Sequence, residues 1–213
     1  MTESSGAIRD GGSRPAGQGV GRGSRTQRAA FIDRDGVLNE ERAFVHRIED
    51  FVLLPGVVQA LRALEAAGYR RVVVTNQSGI ARGLYTEADY QRLTDQYRER
   101  LRHAGVTLDA IEYCPHLPDA PVPQYRRACE CRKPGPGMLV KVIRALEIDA
   151  ASSFLVGDRL TDVQAGRAAG IGRCFLVRTG YALSAEAVAA ADGVYEDLLS
   201  CVQDVLSTPG RPA

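Results

Sequence analysis

Residues 29–40, Ala-Ala-Phe-Ile-Asp-Arg-Asp-Gly-Val-Leu-Asn-Glu, are the most informative segment of this chain for both its fold and its chemistry. Four apolar residues run directly into Asp33, and Asp35 follows two positions later beside Gly36. The pattern predicts a buried strand that ends in two carboxylates on one tight turn, although a surface turn rich in Asp and Gly is the alternative. Neighbouring carboxylates repel each other unless a cation binds there or one carboxylate keeps a proton. Such a pair suits a reaction in which one carboxylate binds metal and attacks an electrophile while the other transfers a proton.

The composition is that of an ordinary globular protein. The chain has 213 residues, of which 45% are hydrophobic and 25% charged, so one domain with a proper core is expected. A net charge of +1 gives no reason to expect nucleic acid or a membrane surface as a partner. No apolar run has the length of a membrane span and no signal-peptide pattern precedes the first strand, so we expect a cytoplasmic protein.

The two ends of the chain differ from the middle. Residues 1–28 contain seven Gly and five Arg but almost no large apolar side chain. Such a segment buries too little surface to offset its ordering entropy, so we expect a disordered N-terminal tail. Residues 207–213 are expected to fray. The folded domain is therefore predicted to span residues 29–206.

Within that domain, segments typical of strands alternate with segments typical of helices. The predicted strands cover residues 29–33, 71–75, 109–113, 153–156 and 173–177, and the predicted helices cover residues 57–67, 86–103, 137–147 and 161–169. Alternation of this kind predicts an α/β fold, a Rossmann-like three-layer sandwich with a parallel sheet between helices. No insertion is long enough to form a large cap domain. Ligands of such sheets bind beyond the carboxyl ends of the strands.

Polar residues follow three of the predicted strands and should therefore meet at one edge. Thr75 ends the second strand and Asn76 follows it, and Asp158 lies just beyond the fourth. The Thr75 hydroxyl and the Asn76 backbone N–H suit an anionic oxygen, while Asp158 and Asp33 suit Mg²⁺, which prefers oxygen ligands. Taken alone, Thr75 is a candidate N-cap and Asp162 a first-turn helix charge. Their coincidence at three strand ends favours a functional site.

A second group of residues has the chemistry of a zinc site. Cys114 and His116 are separated by twelve residues from Cys129 and Cys131. Three thiolates and one imidazole satisfy tetrahedral Zn²⁺ and leave no open position, which predicts a structural metal. The spacing is tighter than in an ordinary zinc knuckle, and the alternative is a reduced cysteine pair beside an unrelated histidine. Two further cysteines match no motif and are expected to be buried packing residues: Cys174 and Cys201.

Four motifs give the chain a resemblance to the haloacid-dehalogenase-like phosphohydrolases. In order, they are Asp-Arg-Asp-Gly at 33–36, Thr75, Lys133 before Pro134, and Gly-Asp-x-x-x-Asp at 157–162. Within that superfamily the chain resembles the D-glycero-D-manno-heptose 1,7-bisphosphate 7-phosphatases. The segments that carry this closer resemblance are residues 33–40, Phe-Val-His at 44–46, Thr-Asn-Gln-Ser-Gly-Ile-Ala-Arg-Gly at 75–83, Cys-Pro-His at 114–116 and Cys-Glu-Cys-Arg-Lys-Pro-Gly-Pro-Gly-Met at 129–138.

The resemblance implies a role for each matching residue. Asp33 is expected to be the nucleophile that forms an aspartyl phosphate, and Asp35 the acid and then the base. Thr75 and Lys133 are expected to stabilise the transferring phosphoryl group. Mg²⁺ is expected to bind Asp33, the Asp35 backbone carbonyl and Asp158, and the resemblance also implies zinc on the cysteine and histidine set.

The implied substrate is a small sugar phosphate, hydrolysed at its 7-phosphate and held by loops rather than by a cap. The expected contacts are Glu41, Arg42, His46, Asn76, Gln77, Ser78, Arg132 and Arg159. Among these, Arg132 is a candidate for the phosphate that is not cleaved, because a guanidinium binds phosphate oxygens in pairs. Nothing in the sequence demands a dimer, so a monomer is expected.

Three other functions stay open from the sequence. A histidinol-phosphate phosphatase would share the fold, the Asp pair and a similar zinc loop, but residues 44–46 and 78–83 favour the heptose enzyme. A nucleic-acid 3′-phosphatase would call for a basic surface bearing aromatic residues, which the sequence does not indicate outside the tail. A catalytically inactive, zinc-stabilised binding module is the alternative from another class, and absence of Mg²⁺-dependent phosphatase activity would favour it.

Overall fold

Residues 27–208, which the computed structural model describes, form one six-stranded sheet with helices on both faces. The strands are β1 (Arg28–Ile32), β2 (Tyr69–Asn76), β3 (Ala110–Cys114), β4 (Phe154–Gly157), β5 (Arg173–Val177) and β6 (Gly193–Tyr195). The helices are α1 (Val57–Ala66), α2 (Ser78–Ala81), α3 (Glu87–His103), α4 (Gly137–Ala145), α5 (Leu160–Ala168), α6 (Ala185–Ala190) and α7 (Leu198–Ser207), with a 3₁₀ turn at Pro123–Tyr125. None of these helices combines the length and apolar character needed to cross a bilayer.

The strand order predicts where on the sheet a ligand-binding crevice lies. All strands are parallel in the order β3-β2-β1-β4-β5-β6. The chain leaves β1 towards β2 on one side and returns to β4 on the other, so the crossover connections diverge between β1 and β4. A crevice opens at the carboxyl ends of strands where connections diverge in this way. The predicted three-layer α/β sandwich is therefore confirmed.

Residues of β1 alternate between two hydrophobic cores. Ala30 and Ile32 pack in the core that includes α1, α3 and α7, whereas Ala29 and Phe31 pack in the core that includes α4, α5 and α6. All four side chains are fully buried. A parallel strand that is covered on both faces needs such a continuous apolar run, and this explains why residues 29–32 were recognisable as a strand.

Two long connections reach over the site edge of the sheet. They span residues 33–56 and 115–136, and neither forms a separate cap domain. Thr86 caps α3 as predicted: its hydroxyl accepts from the Asp89 backbone N–H (3.1 Å). Cys174 and Cys201 are buried packing residues, also as predicted.

The predicted domain ends need correction. Arg28 is the first residue of β1, and Gln27 forms a bridge with Ile148, so both belong to the fold rather than to the tail. Ser207 is the last residue of α7 instead of the first frayed residue. The rest of the predicted tail, residues 1–26, and residues 209–213 lie outside the described residues.

Candidate active site

Asp33 lies at the divergence point of the sheet, directly after β1. Its backbone N–H donates to the Val156 carbonyl oxygen (2.9 Å), which continues the pairing of β1 with β4 beyond the strand. The Arg34 backbone N–H donates to Asp33 Oδ1 (2.8 Å), so the backbone of the turn holds the carboxylate. The side chain is only 12% exposed, and this exposed part faces a cavity at the strand ends.

Three carboxylates and one ammonium group meet beside Asp33. Carboxylate oxygens of Asp33, Asp158 and Asp162 lie within 4.8 Å of one another. Lys133 Nζ lies 2.8 Å from Asp33 Oδ1 and 2.5 Å from Asp162 Oδ1, and it donates to the Val74 carbonyl oxygen (2.9 Å). One ammonium cannot balance three carboxylates, so the cluster keeps an excess of negative charge if all three are ionised.

The excess charge appears in the acidities of the cluster. Burial, together with Asp162 and Asp158, raises the pKa of Asp33 well above its ordinary value although Lys133 opposes the shift. Burial and Asp162 raise the pKa of Asp158 to about 6. Asp158 Oδ1 is buried and has no hydrogen-bond partner among the described residues. An oxygen-lined, negatively charged site with a free carboxylate oxygen fits a hard divalent cation such as Mg²⁺.

Asp162 is the member of this cluster that the predicted magnesium ligands omitted. It lies in the first turn of α5, where its Oδ2 accepts from the Arg159 backbone N–H (3.0 Å). The expected role of a first-turn helix charge is therefore present. Its contact with Lys133 adds a second role, and the Gly-Asp-x-x-x-Asp spacing was the available signal for it.

Donors on three sides surround the Asp35 carboxylate. The Arg34 guanidinium donates through Nε (3.1 Å) and Nη2 (2.8 Å), and Asn39 Nδ2 donates to Oδ1 (3.0 Å). Gln77 Nε2 donates both to Asp35 Oδ2 (3.1 Å) and to Thr75 Oγ1 (2.8 Å). Gln77 thereby links two of the predicted catalytic residues, and nothing in the sequence indicated this link.

Gly36 is required by close approach as well as by backbone conformation. Its φ is +82°, in the left-handed region, and a Cβ at this position would lie 2.6 Å from Asp158 Oδ2. Any side chain would strain the turn and displace the Asp158 carboxylate. Gly36, in the Asp-Arg-Asp-Gly motif, therefore leaves the space that Asp158 of the Gly-Asp-x-x-x-Asp motif occupies.

One cavity collects most of the predicted site residues. Those that line it are Asp33, Asp35, Glu41, Thr75, Asn76, Gln77, Ser78, Arg132, Lys133, Asp158 and Arg159. The cavity is also lined by residues that were not among the predicted catalytic, metal or substrate contacts: Ala43, Phe44, Tyr85, Thr161, Asp162 and Tyr181. The Asn76 amide exchanges two 3.0 Å hydrogen bonds with the Lys133 backbone, so it fixes the lysine segment in addition to facing the cavity.

Two predicted substrate contacts do not line this cavity. Arg42 forms a surface ion pair with Glu40 (2.6 Å). The His46 ring stacks on Tyr85, with ring centroids 5.0 Å apart, and borders a neighbouring groove. Direct contact of Arg42 and His46 with a substrate stays a prediction.

Three arginines without acidic partners lie at or near the cavity: Arg132, Arg159 and Arg82, whose guanidinium is 5.8 Å from the ring centroid of the cavity residue Phe44. Arg132 and Arg159 line the cavity, and the Arg159 guanidinium lies 3.5 Å from the ring centroid of Tyr181. Burial lowers the pKa of Arg132, and the charges of Arg82 and Arg159 contribute to the shift. Within residues 27–208 none of the three forms an ion pair with a carboxylate. Unpaired, clustered guanidinium groups of this kind suit an anion.

The predicted zinc residues lie together on the connection between β3 and α4. The sulfur of Cys131 is 3.0 Å from that of Cys114 and 3.2 Å from that of Cys129, and His116 Nδ1 is 3.3 Å from Cys131 Sγ. Zinc bonds of ~2.3 Å imply ligand separations of roughly 3.8 Å in a tetrahedron, so the cluster is slightly tighter than a filled site. Burial and Arg127 lower the pKa of His116, which favours the neutral imidazole that a metal binds.

Comparison with known proteins agrees with this geometry. Residues 130–201 match the HAD-hydrolase-like family. A D-glycero-beta-D-manno-heptose-1,7-bisphosphate 7-phosphatase of Salmonella typhi is 49% identical over 170 residues, which cover 80% of this chain and 90% of that protein. A D-glycero-alpha-D-manno-heptose-1,7-bisphosphate 7-phosphatase of Photorhabdus laumondii is 48% identical over 157 residues, which cover 74% of this chain and 86% of that protein.

A solved structure extends the agreement to the fold. The D,D-heptose 1,7-bisphosphate phosphatase of B. bronchiseptica, complexed with magnesium and phosphate, superposes with a TM-score of 0.74 at 36% identity, covering 85% of this chain and 99% of that one. The chain belongs to the haloacid-dehalogenase-like hydrolases, within the family of heptose-1,7-bisphosphate 7-phosphatases.

Proposed function

We propose that this protein removes the 7-phosphate of D-glycero-D-manno-heptose 1,7-bisphosphate in a Mg²⁺-dependent reaction, with Asp33 as the nucleophile. The observation that carries the proposal is the single cavity in which Asp33, Lys133 and Asp35 lie beside the unpaired guanidinium groups of Arg132 and Arg159. The cavity therefore contains both the groups needed to transfer a phosphoryl group and positive charge that could hold a second phosphate.

The contacts of Asp33 indicate which oxygen attacks. Oδ1 is occupied by Lys133 and by the Arg34 backbone N–H, whereas no residue of 27–208 donates to Oδ2. Oδ2 would form the new bond to phosphorus as the bond from phosphorus to the sugar oxygen breaks. Lys133 and the Thr75 hydroxyl would stabilise the charge on the phosphoryl oxygens.

Asp35 would handle the proton in both halves of the reaction. As an acid, it would protonate the departing O7 of the sugar. As a base, it would then take a proton from the water that attacks the aspartyl phosphate, which releases inorganic phosphate and restores Asp33. Asp35 lines the cavity beside Asp33, as these roles require.

Two metals are part of the proposal. The carboxylates of Asp33 and Asp158 and the backbone carbonyl of Asp35 would hold Mg²⁺, with Asp162 close by; when bound, this ion would neutralise charge between carboxylate and phosphate. Zn²⁺ would be structural, held by Cys114, His116, Cys129 and Cys131. Because Arg132 and Lys133 follow Cys131 directly, ordering this loop also orients both cations.

The positive charge at or near the cavity favours a bisphosphate over histidinol phosphate. Histidinol phosphate carries an ammonium group and no second phosphate, whereas the heptose substrate carries a second phosphate on C1. Arg82, Arg132 and Arg159 would repel that ammonium and attract the phosphate, because none of the three forms an ion pair within residues 27–208. An inactive binding module is disfavoured by the complete set of reactive groups around Asp33. We further propose that the protein acts as a cytoplasmic monomer whose catalytic domain is the described fold.

The direct test of the nucleophile is Asp33→Asn. We expect Mg²⁺-dependent phosphate release from the heptose bisphosphate to fall to background, because an amide oxygen cannot replace the carboxylate as nucleophile. Asp95→Asn, which removes an exposed carboxylate on α3, is the matched control and should keep wild-type turnover. Wild-type activity in Asp33→Asn would refute the assignment.

A further inference from the structure

Arg34, between the two catalytic aspartates, is the largest fully buried side chain of the fold. It does not line the cavity, so it does not contact a substrate. Burying a guanidinium group costs several kcal/mol unless its charge and its donors are matched. Yet Arg34 Nη1 has no hydrogen-bond partner among the described residues, and the nearby hydroxyls of Tyr90 and Tyr97 are also unpartnered. The fold therefore keeps a costly charge that packing alone does not explain.

The Arg34 donors that have partners bind two acceptors, the Asp35 carboxylate and the Val45 carbonyl oxygen. Nε and Nη2 bind the Asp35 carboxylate, at 2.8–3.1 Å. Nη2 also donates to the Val45 carbonyl oxygen (2.9 Å), in the connection that carries Glu41 into the cavity. A fork of two nitrogens on one carboxylate fixes the orientation of that carboxylate, which a single donor does not do.

We propose that Arg34 is a positioning residue: it holds Asp35 at the angle needed to protonate the leaving sugar oxygen and ties the Val45 segment of the substrate loop to it. This inference rests on the proposed function. Without the fork, Asp35 keeps its chain position and its contacts with Asn39 and Gln77, but its carboxylate can rotate away from O7. Proton transfer depends on that geometry and contributes typically 10²–10⁴-fold to rate.

Two substrates whose leaving groups differ in their need for a proton can distinguish a positioning role of Arg34 from a purely structural one. Release of a sugar alkoxide requires a proton from Asp35, whereas p-nitrophenyl phosphate releases a stable phenolate that needs none. The ratio kcat/KM reports formation of the aspartyl phosphate and not its hydrolysis. In Arg34→Met we expect kcat/KM for the heptose bisphosphate to fall about 100-fold, while that for p-nitrophenyl phosphate stays within about 3-fold of wild type. For p-nitrophenyl phosphate, kcat and KM should fall together, because Asp35 must still act as base towards water.

Arg71→Met is the matched control. Arg71 is also buried and ion-paired, with Glu65 (2.8 Å) and Asp109 (3.1 Å), but it does not line the cavity. Its loss should change kcat/KM for both substrates by the same factor. If Arg34→Met does not fold, as judged by circular dichroism, Arg34→Lys decides, because it keeps the charge and loses the fork.

The outcomes are distinct. A selective loss on the sugar substrate supports the inference, and an equal loss on both substrates, or no loss, overturns it. If the wild-type protein hydrolyses p-nitrophenyl phosphate but not the heptose bisphosphate, the proposed function fails instead.

Discussion

At the scale of single residues, the cavity combines buried carboxylates with arginines that form no ion pair within residues 27–208. Asp33 and Lys133 lie 2.8 Å apart, and Arg132 lies on the same cavity, one residue before that lysine. Asp33 and Asp162 hold the lysine, and we propose that it contacts the reacting phosphate. Arg132 has no carboxylate partner in 27–208, so its charge remains available to the substrate.

Arg132→Ala should therefore impair selection more than chemistry. A hydrogen bond to a charged group contributes ~1.5–3 kcal/mol, so we expect KM for the heptose bisphosphate to rise about 10- to 100-fold. Hydrolysis of p-nitrophenyl phosphate, which has no second phosphate, should change little. Steady-state kinetics on the two substrates measures this, with the exposed Arg144→Ala of α4 as control. Equal losses on both substrates would refute the role.

The sequence alone predicts site residues where a polar side chain lies at the carboxyl end of a recognisable strand. Asp33, Thr75 and Asp158 all follow or end a strand and all line the cavity, as predicted. Arg34 and Gln77 could not be assigned their structural roles, because their contacts with Asp35 depend on rotamers in a folded turn. Arg42 and His46 do not line this cavity, so their contact with a substrate stays a prediction from the family resemblance.

At the scale of elements, the connection between β3 and α4 links the cluster of three cysteines and His116 to the cavity. Cys114 ends β3, and Cys131 precedes Arg132 and Lys133. The regular structure of this connection is limited to a 3₁₀ turn at Pro123–Tyr125 and one isolated bridge between Leu117 and Arg126. A metal cross-link is therefore the element that would hold its shape.

Cys129→Ser should remove the metal and the shape together. We expect about one zinc per chain in the wild type and none in the variant, by elemental analysis. Phosphatase activity and the melting temperature should both fall. Cys201→Ala is the control: it opens a small cavity under α7 and should lower stability while keeping the zinc. Zinc retained in Cys129→Ser would contradict the assignment.

Helices and strands are predicted correctly from the sequence where the element is long enough to display a periodic pattern of apolar residues. Strands β1 to β5 and helices α1 and α3 to α5 were predicted within a few residues, since each has several apolar positions at the period of its structure. α2, α6 and β6 span four, six and three residues, too few to display a period. α7 was also missed, although Cys201 and Val205 bury one face of it.

At the scale of the whole molecule, the carboxylate cluster makes stability depend on pH and on metal. The pKa of Asp158 is raised from its ordinary value to about 6, so the native state binds a proton more tightly than the unfolded chain. In the absence of metal, the free energy of unfolding should therefore fall as pH rises through the window between those two values. A bound divalent cation would stabilise the ionised carboxylates and offset this loss.

Mg²⁺ should accordingly raise the melting temperature by several degrees more at pH 7.5 than at pH 5. At the lower pH, protons compete with the metal for Asp158 and Asp33, whose pKa values are both raised. Thermal unfolding followed by circular dichroism, with NaCl of matched ionic strength as control, measures the difference. Equal shifts at both pH values would contradict the assignment of the metal to this cluster.

The proposed reaction removes one phosphate of a heptose bisphosphate while the protein holds the other. The most direct measurement follows the reaction by ³¹P NMR with Mg²⁺, for each anomer separately and for histidinol phosphate at equal concentration. We predict loss of the C7 phosphorus signal, retention of the C1 signal, and little reaction of histidinol phosphate. Faster hydrolysis of histidinol phosphate, or loss of the C1 phosphate, would contradict the proposed function.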